Sequence, residues 1–406
     1  RKPQSAPVNR LRRQSQNPKW SPINAHGNRR ATTTSFSTPK QGRRTYVKPT
    51  SNTVTGLYES QFGSSRVLVI TGQADTTFYG KGLSYVHEAE KQIQMLSSVC
   101  RRVESPRHIS QLADSFQAVV SDMFTGRPQP GAIEIPIDLQ YAGAKEFAIE
   151  LPSRNLFQAD SSVISTVADK IKESSKRIFV VGGGVISSEA TQELCELAER
   201  LDAPVLTTVD GRGVLPEDHR LCMGNYYNSA GIYSAIQDAD LTIAIGTKFA
   251  VGVDGQFHVQ TPPGELIQID IDGNMIGRTH KAVIGVLSDA KSALNQLRPL
   301  VSEVSQNDSQ FNEALFQARE GVQNAMRARL GKDWSQVMDI IRSKLPRDGL
   351  FVRDQTISAY NWGNQQFPIY LPRTSINPTS GAIGPGFPMS IGAAIATGKK
   401  TIVIHG

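Results

Sequence analysis

The stretch Arg177-Ile-Phe-Val-Val-Gly-Gly-Gly184 decides the fold. Four apolar residues in a row read as a strand buried on both faces, and three glycines read as a tight turn. The residues that follow, 189–201, have helical character, with Cys195 among the helical apolar positions. Pro204-Val-Leu-Thr207 is again a short strand. Strand, turn, helix and strand in this order form the unit of a parallel sheet. Moving outward, residues 162–175 supply a helix upstream. Leu241-Thr-Ile-Ala-Ile245 and Leu266-Ile-Gln-Ile-Asp270 supply later strands. Such alternation predicts a doubly wound α/β domain.

The same alternation extends toward both ends. Arg66-Val-Leu-Val-Ile-Thr-Gly72 reads as a strand. Ile109, Leu112, Phe116, Val119, Val120 and Met123 recur at helical spacing, so a helix is expected over 108–125, stopped by Gly126 and Pro128. Ala132-Ile-Glu-Ile-Pro136 is the next strand. On the other side, residues 310–328 and 334–344 read as helices and Leu350-Phe-Val352 as a strand. Residues 387–397 form a further helix, and Thr401-Ile-Val-Ile404 a last strand.

Composition narrows the class. The chain has 406 residues, enough for two or three domains. No run of about 18 apolar residues could form a spanning helix. Its three cysteines, Cys100, Cys195 and Cys222, are too few and too widely spaced for a disulfide framework or a zinc site, and a cytoplasmic compartment is expected. The net charge of +7 belongs to one end: residues 1–50 hold twelve Lys and Arg and no Asp or Glu. The other 356 residues carry a net charge of −5. The basic segment also holds eleven Ser or Thr and six Pro, and it cannot bury enough apolar surface to offset its ordering entropy. A phosphate-touching arm, a transit peptide and an out-of-frame stretch are the alternatives. With the basicity confined there, nucleic acid is not the expected partner.

Several groups could carry chemistry. Gly182-Gly-Gly184 is half of a dinucleotide fingerprint, but the spacing is not G-x-G-x-x-G and no acidic residue ends the second strand. A turn that needs glycine dihedrals is the plainer reading. Gly381-Ala-Ile-Gly384, with Gly386, Pro388 and Gly392, runs into a helix and could seat a cofactor against the backbone. Asp354, Gln355 and Thr356 follow the 350–352 strand, where ligands of open α/β sheets bind. Gln73, His87 and Glu88 follow the 66–71 strand, and His87 could exchange a proton near neutral pH.

Together these segments resemble the thiamine-diphosphate-dependent enzymes of the acetolactate synthase and benzoylformate decarboxylase type. The resemblance covers residues 51–406. Asn52-Thr-Val-Thr-Gly56 with Val67-Leu-Val-Ile-Thr-Gly-Gln73, and Gly126-Arg-Pro128 with Gly131-Ala-Ile-Glu-Ile-Pro-Ile-Asp138, are similar to its first domain. Val180-Val-Gly-Gly-Gly184, Ala203-Pro-Val205, Ala239-Asp-Leu-Thr-Ile-Ala-Ile-Gly246 and Asp270-Ile-Asp272 are similar to its central domain. The loop from Gly381 to Ala393 is similar to its third. The resemblance implies three doubly wound parallel-sheet domains: pyrimidine-binding over 51–155, central over 156–305, and pyrophosphate-binding over 306–406, the first and last incomplete. It implies thiamine diphosphate with Mg2+ as cofactors and a 2-oxoacid substrate that is decarboxylated or joined to a second carbonyl. It also implies a homodimer or tetramer. Ile383 would prop the cofactor, Gln355, Thr356, Gly381 and Gly384 would lie along it, and Asn52 would contribute from the first domain. Gln73 and His87 would face the substrate from the partner subunit.

The chain also departs from the family pattern. The family's activating Glu, expected in an Arg-His-Glu context, would fall near Pro22, yet no acidic residue precedes Glu59. Where Gly-Pro-Gly is expected stands Lys48-Pro-Thr-Ser51. His405-Gly406 matches only the opening of the Mg2+ motif, so the metal ligands would lie beyond it. These departures predict a chain without turnover. Val86-His-Glu88 replaces a Phe-Gln-Glu, and Thr247-Lys-Phe-Ala-Val-Gly-Val253 lacks the acidic and Arg residues that follow Phe in the flavin-contacting segment, which argues against FAD. Two other classes compete: a nucleotide-binding oxidoreductase built on the central domain, and a non-catalytic binding protein with a basic arm.

Overall fold

The structure, a computed structural model, describes residues 50–85, 88–152, 157–249 and 260–406. The basic segment below Thr50 and candidate residue His87 lie outside the described residues, as does most of the flavin-contacting stretch after Phe249. Three parallel sheets organise the described residues. In the first, β1 (Leu68–Gln73), β2 (Arg102–Glu104) and β3 (Gly131–Pro136) stand in the order β1-β3-β2. The second contains β4 (Arg177–Val181), β5 (Val205–Thr207), β6 (Cys222–Gly224), β7 (Leu241–Ile245), β8 (Glu265–Asp270) and β9 (Ile284–Leu287). Its order is β6-β5-β4-β7-β8-β9. The third places β10 (Leu350–Arg353) between β11 (Ser375–Ile376) and β12 (Thr401–Ile404). Every pairing is parallel. The α/β expectation therefore holds.

The central sheet shows why its strands were legible. β4, β5 and β7 are buried at every position, because helices cover both faces and an alternating pattern would expose polar groups to core. The helix Ser161–Glu173 shows how one cover forms. Asp160 caps it by accepting the Ser162 N–H, and Ile164, Val167, Ala168 and Ile171 form one buried stripe. That stripe packs on Phe179, Val181 and Ile243. The neighbours of β4 lead off in opposite directions, so a crevice opens beyond the carboxyl ends of β4 and β7.

Some boundaries differ from expectation for local reasons. The helix expected over 189–201 begins at Thr191, because Gly183–Ser187 forms a separate short helix and Glu189 turns the chain with a positive φ of 57°. The helix expected over 108–125 splits into a 3-10 turn, Ile109–Gln111, and an α-helix, Leu112–Phe124.

Named side chains dock the three sheets on one another. Arg212, after β5, reaches the carbonyl oxygens of Gly363 (2.8 Å) and Phe367 (2.5 Å) beside the third sheet. Glu217 exchanges hydrogen bonds with the backbone of Ile369. Lys248, after β7, donates to the Phe62 carbonyl at 2.8 Å, and Arg127 lies 3.9 Å from Asp272. No helix among the described residues is long and apolar enough to cross a membrane.

Candidate active site

The site is built at the carboxyl end of β10. Asp354 follows the strand and is buried. Its carboxylate accepts the N–H of Gln355 at 2.8 Å and that of Gly384 at 2.9 Å. The Gly381–Gly384 loop is thereby pulled against the strand. The approach is close: a Cβ on Gly386 would lie 2.8 Å from Asp354 Cβ, so only glycine fits there. Gly381 and Gly384 hold φ of +81° and +106°, which side-chain-bearing residues avoid. A Cβ at either would meet nothing within 4 Å among the described residues, so the loop presents an open face.

On that face Ile383 is 82% exposed. An isoleucine so exposed between two left-handed glycines is either a surface accident or half of a contact. Gln355 points to the second. Its Nε2 donates to the Pro378 carbonyl at 2.7 Å, while its buried Oε1 has no partner among the described residues. A buried acceptor left unpaired costs free energy unless a ligand donor meets it. Thr356 stands next to it, half-buried, with its hydroxyl accepting the Ala359 N–H at 3.3 Å. The unpaired acceptor, the glycine conformations and the open apolar side chain fit a cofactor that carries a hydrogen-bond donor or a cation and an apolar ring.

Asn52 and Gln73 lie in the unit of the first sheet, Gln73 at the carboxyl end of β1. Asn52 is exposed in the 3-10 turn Thr50–Thr53, which touches the strand through the Thr50 and Thr71 hydroxyls. Gln73 is buried and its amide is fully engaged. Nε2 donates to the Ala89 carbonyl and to Glu134 Oε2, both at 3.1 Å, while Oε1 accepts Ala74 N–H. In this geometry Gln73 positions the segment beside Glu88.

Glu134 was missed by the sequence reading. It is fully buried on β3 and also accepts from Gln92 Nε2 at 2.8 Å and Ser105 Oγ at 2.9 Å. The signal was present: one carboxylate inside the apolar run of residues 131–136 needs partners.

The Gly182–Gly184 turn serves packing. A Cβ on Gly182 would stand 2.3 Å from the Gly246 carbonyl oxygen, and one on Gly184 would stand 2.5 Å from Gly246 Cα. The crevice beyond the central sheet holds charges of both signs. Burial lowers Lys248 to about 8, with Arg127 adding to the shift and Asp210, Asp270 and Asp272 opposing it. Burial pushes Asp270 up to about 6 from 3.8; Asp272 adds to the push, and Arg127 and Lys248 pull back. Asp210 is open to solvent but recessed, and crowding by the surrounding protein raises it against the pull of Lys248 and Arg353.

Asp270 gives a signed test. Between pH 3.8 and about 6 the folded chain holds a proton that the unfolded chain has lost. This group's contribution to stability therefore falls as pH rises through that window. Asp270→Asn keeps an oxygen for the Asp272 N–H. It is expected to be about 1–3 kcal/mol more stable than the parent at pH 7 and no more stable near pH 4. Urea unfolding at the two pH values checks this, and an equal difference at both would contradict it.

Cys195, Glu199 and His219 place a sulfur, an oxygen and a nitrogen within 4.8 Å of one another. Leu221 donates its N–H to His219 Nδ1 at 3.2 Å, so Nε2 carries the ring proton and turns it on Glu199 at 3.1 Å. Burial first, and then Glu199, keep the Cys195 thiol protonated. The cluster is a carboxylate facing two protons, which is the opposite of an open ligand set.

Comparison with known proteins follows this layout. Residues 164–297 match the family described as the central domain of thiamine pyrophosphate enzymes. A probable acetolactate synthase large subunit of Methanocaldococcus jannaschii is 29% identical over 371 residues, covering 87% of this chain and 62% of that protein. A probable 2-ketoarginine decarboxylase of Pseudomonas aeruginosa is 28% identical over 359 residues, 86% of this chain and 62% of that protein. An acetolactate synthase of Mycobacterium bovis is 32% identical over 257 residues, 61% and 40% respectively. The chain thus spans under two thirds of the length of these relatives.

Proposed function

We propose that this chain, which belongs to the thiamine-diphosphate-dependent enzymes, carries the cofactor loop of a 2-oxoacid decarboxylase or carboligase. The observation that supports this most is the group at the end of β10: an orphaned Gln355 Oε1 beside a left-handed glycine loop that exposes Ile383. When bound, thiamine diphosphate supplies an electron sink for the pair released as carbon dioxide leaves a 2-oxoacid. The chain's own residues bind and orient. Beside the diphosphate, the Thr356 hydroxyl would donate to a phosphate oxygen, and Gln355 Oε1, an acceptor, would meet Mg2+ or a donor of the cofactor rather than the phosphate oxygens. Gly381 and Gly384 would admit it to the backbone, and Ile383 would support its ring. Asn52 would contribute from the first unit. Gln73 would hold the segment on which His87 could move a proton to or from substrate, supplied by a second copy of the chain. A 2-oxoacid substrate accords with the names of the relatives. FAD is not part of the proposal. The assembly proposed is a homodimer or tetramer, and the three free thiols accord with a cytoplasmic compartment.

Titration calorimetry with thiamine diphosphate and Mg2+ tests the proposal, and carbon dioxide release from a panel of 2-oxoacids tests the lack of turnover that the sequence departures predict for this chain. Ile383→Ala is expected to weaken cofactor binding about tenfold, the worth of one buried aliphatic side chain. Its unfolding midpoint should not move, because Ile383 packs on little in the free protein. No binding by the parent, or equal binding by the variant, would overturn the assignment.

A further inference from the structure

The cofactor loop is fastened at both ends, and the two fastenings differ in origin. At Gly384 the anchor is Asp354, thirty residues away and in the same sheet unit. At the other end the anchor is Glu59, from the helix Val54–Phe62 of the first unit, 320 residues away. Its carboxylate accepts four hydrogen bonds. Oε1 takes the Thr379 N–H at 2.5 Å and the Thr379 hydroxyl at 2.9 Å. Oε2 takes the Ser380 N–H at 3.2 Å and the Ser380 hydroxyl at 2.5 Å. Two consecutive N–H groups and two hydroxyls turned on one point make a seat for an anion, and Glu59 fills it.

The seat is held from behind. Lys248 donates to the Phe62 carbonyl and Arg127 Nε donates to Ser64 Oγ at 2.8 Å, so the end of the Glu59 helix is pinned to the central unit and to its own. Gly63 lies so close that a Cβ there would stand 2.9 Å from Thr379 Oγ1. Gly381 follows Ser380 directly, and the open stretch that carries Ile383 begins at that residue.

We infer that Glu59 is a positioning residue: through Thr379 and Ser380, the first unit sets the conformation of the Gly381–Gly384 loop. The contact stands on its own geometry, whereas its consequence for thiamine diphosphate rests on the function proposed above. A charged, fully paired carboxylate fixes the two peptide planes that precede the left-handed turn. Without it, that end of the loop loses its only side-chain anchor from the first unit among the described residues, and the open face is no longer pre-formed.

Amide hydrogen exchange of the full chain, read on a peptide covering residues 379–384, tests this without cofactor. Glu59→Ala should raise exchange there by about tenfold or more, with peptides from β7 unchanged. Because the variant leaves an empty anion seat, added acetate should restore protection in Glu59→Ala and do nothing to the parent. The double variant Thr379→Ala, Ser380→Ala keeps the two N–H donors, and it should show a smaller rise in the same peptide. In calorimetry, Glu59→Ala should bind thiamine diphosphate several-fold more weakly than the parent. Unchanged exchange at 379–384, a rise spread over the whole molecule, or a rise that acetate leaves in place would each overturn the inference. If the parent binds no thiamine diphosphate while the exchange results hold, the functional proposal fails and the role of Glu59 in ordering the loop stands.

Discussion

Replacing Arg212 by Ala is expected to remove about 3–5 kcal/mol of stability, the range found when one partner of a buried ion pair is deleted. The guanidinium side chain is fully buried, and it pairs with Glu217 through two bonds of 2.6 and 2.8 Å. Desolvation opposes the charge, but Glu217 outweighs it and holds Arg212 above its ordinary range. The same guanidinium satisfies the Gly363 and Phe367 carbonyls, so truncation leaves a carboxylate and two backbone acceptors without their donor. Those acceptors follow Trp362 in the chain, and its indole is buried against the stacked rings of Phe351 and Phe367. Urea unfolding followed by tryptophan fluorescence, with Trp20 and Trp334 replaced by Phe in parent and variant alike, therefore reports on the junction. The double variant Arg212→Met, Glu217→Gln should recover part of the loss, since no lone charge remains buried. A cost below about 1 kcal/mol for Arg212→Ala would mean that the pair contributes little to docking.

Gly182→Ala is expected to cost more than about 3 kcal/mol, or to prevent folding, because the new methyl would overlap backbone rather than a movable side chain. It would sit 2.3 Å from the Gly246 carbonyl oxygen and 2.9 Å from Thr247 Cα. Neither can retreat, since Gly246 donates to Ile269 and the turn is tied to both strands. Gly321→Ala is the control. This residue lies within the helix Ser309–Leu330 with nothing within 4 Å of a built Cβ, and a gain of about 0.5–1 kcal/mol is expected. Thermal unfolding of both variants decides the matter. A Gly182→Ala protein as stable as its parent would return the turn to the role of a ligand cradle.

What the sequence disclosed follows from how far apart the determinants lie. β4, β5, β7 and β8 were readable because double-sided burial writes itself as a local apolar run. β2, β6, β9 and β11 were not, because two to four residues such as Cys222-Met-Gly224 are too short to show a period. The glycines at 381 and 384 were readable because a positive φ is a local demand. Glu59 was invisible as a site residue, since its meaning lies in partners 320 residues away; Glu134 stood out as a carboxylate in an apolar run, but its partner Gln73, 61 residues away, did not. Gln73 was recognised as a position of interest, but only the folded strand reveals that its amide is spent on Ala89 and Glu134.

The Glu59 contact also has a kinetic side. The six strands of the central sheet come from one unbroken stretch, Arg177 to Leu287, so that sheet can assemble before either neighbour is in place. The bond from Glu59 to Thr379 closes a loop of 320 residues, and in an unfolded chain the entropy of closing so long a loop opposes it. Once the central sheet has folded, most of that loop is already compact, and the remaining search is a docking of preformed bodies. The topology therefore favours an order in which the central sheet forms first and the units on either side of it meet last.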